Sequence, residues 1–117
     1  MSNQIWPIDM SVLIQTAGSK ADKMLPDLIP IYLEDGDLLV DWMAEALQIG
    51  NALKLHQAAH RLKGNSASLG VLTVAALADQ LEGLGKTGDL PNAVQPFNAL
   101  AEEYKKVKSA LLDMISS

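Results

Sequence analysis

Apolar residues recur at spacings of three and four along nearly the whole chain, and this periodicity leaves little besides helices for it to form. Leu25, Leu28, Ile29, Tyr32 and Leu33, then Leu39, Trp42, Met43, Ala46 and Leu47, trace one buried stripe through residues 21–49. Pro30 removes a backbone donor within that span, and "EDGD" at 34–37 suits either a continued helix or a break between two shorter ones. The unbroken stripe favours one continuous, bent helix. Further helices are predicted over about 51–69, 71–86 and 92–115, the last carrying Val94, Phe97, Leu100, Tyr104, Val107, Leu111 and Met114 in near-heptad order. Residues 8–17 add a short helix across one end. Gly50-Asn51 and Gly70 suit left-handed helix ends, and "GKTGDLPNA" at 85–93 supplies a glycine stop followed by a proline start. Such short turns make neighbours antiparallel. The expectation is therefore an all-α fold, an antiparallel up-down four-helix bundle with a short extra N-terminal helix, forming one domain over 1–117. Strand-like alternation, internal repeats and low-complexity segments are missing from the sequence.

Composition narrows the function. The chain has 117 residues, enough for one real core, with 49% hydrophobic and 20% charged residues, a globular balance. Its apolar runs fall far short of the roughly 20 residues that span a bilayer. The start, "MSNQIWPIDM", has neither the basic segment nor the apolar run of a signal peptide, and the absence of cysteine removes disulfides and thiolate chemistry. A cytoplasmic home is expected. A net charge of -5 with no block of basic residues argues against nucleic acid and anionic membranes, both bound through clustered positive charge. The expected partner is protein and the chain itself a monomer. A Met1 start and a compact end at Ser117 favour a free-standing protein over a piece of a larger kinase.

The chemistry concentrates in "AAHRLKGNSASLG", residues 58–70. At 100° per residue Leu55, Ala58, Ala59, Leu62, Ser66 and Leu69 face the bundle. His60 lies about 100° from that stripe, on an exposed flank shared with His56, Lys63, Gly64 and Ala67. Gly64 costs a helix up to about 1 kcal/mol relative to alanine, and it leaves the imidazole without a wall one turn along. Lys63 brings a cation to any anion carried on the ring. Imidazole is largely neutral near neutral pH, so one ring nitrogen is available to attack phosphorus. The arrangement suits a phosphorylated histidine.

Rival patterns fail on their own chemistry. His56 and His60 stand four apart, a zinc-ligand spacing, but a metal site wants three or four ligands and the chain has no other histidine and no cysteine, so no metal site is expected. "GLGKTG" at 83–88 resembles the end of a phosphate-binding loop, yet Gln80 stands where the earlier glycine belongs and the stretch ends a helix. Trp6, Trp42 and Tyr32 are expected to pack in the core or at the bundle's end rather than form a binding cage.

The run His60-Arg61-Leu62-Lys63-Gly64-Asn65-Ser66-Ala67-Ser68-Leu69-Gly70, followed by an apolar helix with Leu81-Glu82, resembles the histidine-containing phosphotransfer (HPt) domain of bacterial multistep phosphorelays. That family's signature is histidine, any residue, an apolar residue, lysine, glycine, small residues, then an apolar residue with glycine. Asn65, where serine or alanine is commoner, is the one departure. The resemblance implies a phosphoryl carrier: His60 accepts the group from a receiver-domain phospho-aspartate and passes it to another receiver. It implies sensor or hybrid histidine kinases and response-regulator receiver domains as partners, with no cofactor in the chain itself and Mg2+ supplied by the receiver. Glu82 stands where the family often has glutamate or glutamine, and the resemblance implies that it accepts a hydrogen bond from the second ring nitrogen and orients His60. His56, Gly64 and Ala67 are expected to form the receiver-docking surface. A histidine-kinase dimerisation helix would have an acidic neighbour and a following proline, both absent here, and 117 residues leave no room for an ATP-binding domain, so autonomous kinase activity is not expected. The rival reading is a structural adaptor that has lost the chemistry; it has no need to retain His60, Lys63 and Gly64 together.

Overall fold

The computed structural model describes residues 4–116. Residues 1–3 and 117, the ends of the expected 1–117 unit, lie outside the described residues. Four long helices carry the architecture: α2 (Ala21–Ile49), α3 (Ala52–Leu69), α4 (Leu72–Thr87) and α5 (Val94–Ser116), with a short α1 (Met10–Ala17) before them. Helix α2 packs on α3, α3 on α4, α4 on α5, and α5 returns to α2, closing an antiparallel bundle. The α3–α4 contact is the most extensive.

The turns follow from their residues. Gly50, Gly70 and Gly88 all sit at positive φ, 73°, 84° and 77°, as left-handed helix caps. Asn51 is not itself left-handed; it is the N-cap of α3, its side chain accepting from the Lys54 amide at 3.0 Å. Asp9 caps α1 in the same way, accepting from the Ser11 amide at 3.0 Å. Pro91–Ala93 form one 3-10 turn ahead of α5.

Helix α2 is continuous through Pro26, Pro30 and "EDGD". The two prolines deprive the carbonyls of Asp22 and Pro26 of their ladder donors, but Asp22, Pro26 and Pro30 all lie on the exposed side, where water serves those carbonyls. Gly36 is buried because the Tyr104 ring of α5 lies against it, with Cζ 2.9 Å from where a Cβ would stand. The Tyr104 hydroxyl donates toward the Leu33 carbonyl at 3.1 Å and Asp37 Oδ1 at 2.8 Å. Lys108 Nζ completes the clamp at 2.7 Å from Asp37 Oδ2.

Two details depart from the sequence reading. Gln4–Ile5 and Ile8–Asp9 form a two-residue antiparallel ladder, too short to show any alternation in sequence. Asp9 N–H then donates to the Gly70 carbonyl at 2.8 Å, and a Cβ on Gly70 would lie 2.6 Å from the Asp9 carbonyl oxygen, so the seat of the N-terminal segment and the turn conformation both require glycine. The second departure is the width of the stripes. Trp42 is 37% exposed, because Leu39, Met43 and Ala46 occupy the inward positions of α2 and leave Trp42 on the edge beside Lys54 and Gln57. Trp6, 55% exposed, lies against the α3–α4 turn at the bundle's end. On α5 the buried set is Leu100, Tyr104, Val107 and Leu111, with Val94 exposed and Phe97 and Met114 half-buried.

Tyr32 is buried as expected, and its hydroxyl meets Ser66 Oγ at 2.8 Å between α2 and α3. Burial pushes the Tyr32 phenol up to about 12, against the opposing pull of the Ser66 hydrogen bond. Tyr104 is raised as well, by burial and then by the Asp37 carboxylate. A phenol whose folded-state value lies above its unfolded 10.0 adds stability that is complete below that pH and is lost as pH rises through the folded value. Thermal melts from about pH 8 to 12 are therefore expected to fall steeply above about pH 10, with Tyr32 alone contributing roughly 2–3 kcal/mol. Phenolate absorbance should appear with unfolding; tyrosines that ionise before the helices melt would contradict this.

Candidate functional site

The site is built on the α3–α4 pair. His60, Lys63 and Glu82 come together: Glu82 Oε2 meets His60 Nδ1, and Glu82 Oε1 accepts from Lys63 Nζ at 2.6 Å. The two helices supply these groups from antiparallel neighbours, with His60 and Lys63 three apart on one face of α3. The His60 side chain is 70% exposed, whereas that of Glu82 is only 14% exposed. A carboxylate oxygen only accepts, so Nδ1 carries the proton in this contact and Nε2 is the ring's remaining nitrogen.

Glu82's carboxyl is held below its ordinary 4.5, first by the Lys63 hydrogen bond and then, against some desolvation, by His60. Lys63 is raised in turn by Glu82 and Asp79. Asp79, three residues before Glu82 on α4, takes the second Lys63 contact at 3.1 Å. The ammonium expected to face solvent thus has two carboxylate partners in the unphosphorylated chain.

The expected docking residues separate. Gly64 is open: a Cβ there would meet nothing within 4 Å, so packing does not demand glycine. Ala67 is exposed on α3, one turn further on. His56 is half-buried instead, and its Nδ1 lies 3.0 Å from the Glu82 main-chain carbonyl. Its ring stacks toward that of His60, with centroids 6.4 Å apart and planes 22° from parallel.

Several neighbours escaped the sequence reading. Gly85 allows α4 to approach α3 at backbone distance, since a Cβ there would lie 2.7 Å from the His56 amide nitrogen. Gly83, beside Glu82, is a second open glycine with nothing within 4 Å. On the other flank of His60, Asp35 of α2 accepts two bonds from Arg61, at 2.9 and 2.6 Å, and one from Asn65 Nδ2 at 2.6 Å. Asn65, the departure from the resemblance, is one arm of this clamp. The i, i+3 spacing of Asp79 and Glu82 could have revealed the former. Nothing in "EDGD" signals that Asp35 reaches across to α3.

Along α2 beside that clamp runs an open groove of about 740 Å3 whose lining includes Leu13, Met24, Leu28, Ile31, Leu38 and Arg61. Ile31 in it is 66% exposed. Among the described residues no group of three or more His, Cys, Asp or Glu is arranged to hold a metal, and no helix is long and apolar enough to cross a membrane.

Comparison with known proteins follows the same line. Among solved structures the chain resembles the crystal structure of histidine-containing phosphotransfer protein B from Pseudomonas aeruginosa PAO1, with a TM-score of 0.80 and 23% identity over 94% of this chain and 95% of that one. At that identity the likeness speaks for the fold. No curated protein sequence matches. A family model described as the Hpt domain matches residues 27–110, 84 of the 117 residues and the whole of the α2–α4 framework around His60 apart from the first turns of α2. The chain belongs to the Hpt domain family, the histidine phosphotransfer modules of two-component signalling.

Proposed function

We propose that this protein carries a phosphoryl group on His60 Nε2 between the receiver domain of a sensor or hybrid histidine kinase and that of a response regulator. The observation that carries the reading is the exposed His60 ring whose Nδ1 is engaged by a Glu82 carboxylate, itself anchored on Lys63. In the forward step the Nε2 lone pair attacks phosphorus of the receiver's phospho-aspartate. The N–P bond forms as the O–P bond breaks, and the electron pair leaves with the aspartate carboxylate. The Nδ1 proton stays on the ring, and Glu82 offsets the positive charge that the imidazole acquires. Transfer to the second receiver reverses these bonds: its aspartate attacks, and the N–P electrons return to Nε2.

Lys63 serves as a point charge for the phosphoryl oxygens and moves from Asp79 toward them when the group arrives. The reacting aspartate and Mg2+ come from the receiver; the carboxylates nearest His60 are already committed to Lys63. Receivers dock across Gly64 and Ala67 and against the apolar groove along α2, whose exposed Ile31 gives an apolar anchor in a groove that Arg61, the neighbour of His60, also lines. The protein works as a monomer in the cytoplasm, without kinase activity of its own.

The test is incubation of the purified chain with phosphorylated receiver domains, scoring acid-labile label on the chain. Failure of every receiver and every small phosphodonor to label it would refute the carrier role. Gly64→Gln separates docking from folding. The open surroundings accept the side chain, and leaving glycine stabilises the helix by up to about 1 kcal/mol. Thermal stability should rise slightly while the transfer rate from a receiver falls at least about tenfold, the cost of roughly 1.4 kcal/mol of lost docking. A more stable variant that transfers at the wild-type rate would move the docking surface away from Gly64.

A further inference from the structure

We propose that His56 is a positioning residue for the His60 site: its Nδ1–H, donated to the Glu82 carbonyl, sets where α4 presents the Glu82 carboxylate. The proposal rests on His60 being the phosphoryl acceptor, and it moves His56 from the docking surface to the support of the reacting ring.

Chemistry fixes the direction of the bond. A carbonyl oxygen only accepts, so the 3.0 Å contact requires the proton on His56 Nδ1. Within a helix that carbonyl already has its ladder donor, the amide four residues on, and the imidazole uses its second lone pair. The bond is thus not needed to satisfy a buried group; what it adds is a directional tie between two helices.

Such a tie matters at this level of the bundle. Helix α4 turns Val74, Ala75, Ala78, Leu81 and Gly85 inward, and at the level of Gly85 no side chain projects to resist sliding or rotation against α3. Gly85 brings the backbones close, its missing Cβ lying 2.7 Å from His56 N and 2.9 Å from His56 Cα. Closeness alone does not choose a register. His56 does, by holding the main chain of the same residue whose carboxylate engages His60 Nδ1 and Lys63 Nζ. Helix α3 therefore grips Glu82 at three points: the main-chain oxygen and both carboxylate oxygens. Releasing the first leaves the carboxylate tethered only by the exposed His60 and the half-buried Lys63 side chains, and the bias of His60 toward its Nδ1–H tautomer weakens with it.

The test compares wild type with His56→Leu, which keeps bulk but has no donor, and His56→Asn, whose amide N–H stands close to the place of Nδ1–H. Imidazole 15N–1H correlation spectra of the unphosphorylated protein read the tautomers of both histidines. Transfer from a phosphorylated receiver, measured across receiver concentrations, separates maximal rate from affinity. In wild type His56 should carry its proton on Nδ1. His56→Leu should shift His60 away from the Nδ1–H tautomer and lower the maximal rate about five- to tenfold, the effect of one ordinary hydrogen bond, with receiver affinity unchanged. His56→Asn should restore most of both.

A wild-type His56 protonated on Nε2 would overturn the proposal, and this measurement needs no variant to fold. So would an unchanged His60 tautomer in His56→Leu, or a change in receiver affinity alone, which would return His56 to the docking surface. No rescue by asparagine would reduce His56 to packing. If wild type accepts no phosphoryl group at all, the carrier reading fails on its own, while the tautomer spectra still decide whether His56 positions Glu82.

Discussion

His60→Gln is expected to fold like the wild type and to take up no phosphoryl label, a complete loss of function from one exposed side chain. The side chain is 70% exposed, so truncating the ring removes little buried surface. A glutamine amide can still donate to Glu82, and Glu82 keeps its bond to Lys63 at 2.6 Å. The melting temperature should therefore stay within a few degrees of wild type, the span of roughly 0.5 kcal/mol at this size. What the variant lacks is a nitrogen lone pair able to form an N–P bond. His56→Asn, by contrast, should still label, because the His56 ring has no phosphoryl oxygen-binding cation beside it among its described contacts. Label retained on His60→Gln and lost on His56→Asn would place the acceptor on the wrong histidine.

The largest loss of stability is expected from Gly85→Ala. A Cβ at this position would stand 2.7 Å from His56 N, 2.9 Å from His56 Cα and 3.1 Å from the Ala52 carbonyl oxygen. These are backbone atoms of α3, and no rotamer change moves them. The two helices must separate along the most extensive contact of the bundle. Overpacking of this kind costs about 1–3 kcal/mol and more where the neighbour is rigid, while the gain in helix propensity returns about 1 kcal/mol at most. A net loss of about 2 kcal/mol corresponds to a fall of roughly 8 °C in the melting temperature of a domain this size. Separation also draws the Glu82 carbonyl from His56, so transfer should slow in whatever fraction remains folded. Gly64→Ala, the same change one helix away, should stabilise by up to about 1 kcal/mol, since nothing lies within 4 Å of its new methyl. Melts of the two variants side by side check both signs; a Gly85→Ala protein as stable as wild type would mean that α3 and α4 do not approach as closely as described.

The two glycines show where sequence and structure part. Both sit inside amphipathic helices, and propensity marks each as a weakness with the same magnitude. Gly64 could be read from its place one turn beyond His60, because that relation is local and helical geometry supplies it. Gly85 looked like the end of a helix, and the signal for its real role lies on another helix, at His56. Periodicity was sufficient for the helices themselves: α2 to α5 begin and end within about two residues of the expected spans, since each carries one apolar stripe bounded by glycine, asparagine or proline. The same local pattern could not say how much of a stripe is covered. Trp42 keeps the spacing of its stripe and still lies 37% exposed, because coverage depends on the angle at which α3 and α5 lie against α2.

The candidate site divides in the same way. His60, Lys63 and Gly64 belong to one turn of one helix, so their exposed face follows from the order of residues alone. Glu82 was legible only through the family resemblance. Asp79 on Lys63, Asp35 across to Arg61 and Asn65, and His56 on the Glu82 carbonyl are contacts between residues 16 to 30 positions apart. The sequence by itself determined the helices, their order and the exposed face that carries His60, because these rest on hydrogen bonds and apolar spacing within a few residues. Only the tertiary structure decided which carboxylate each cation meets and which nitrogen of each histidine is occupied, because these depend on the register of one helix against the next, which no local pattern encodes.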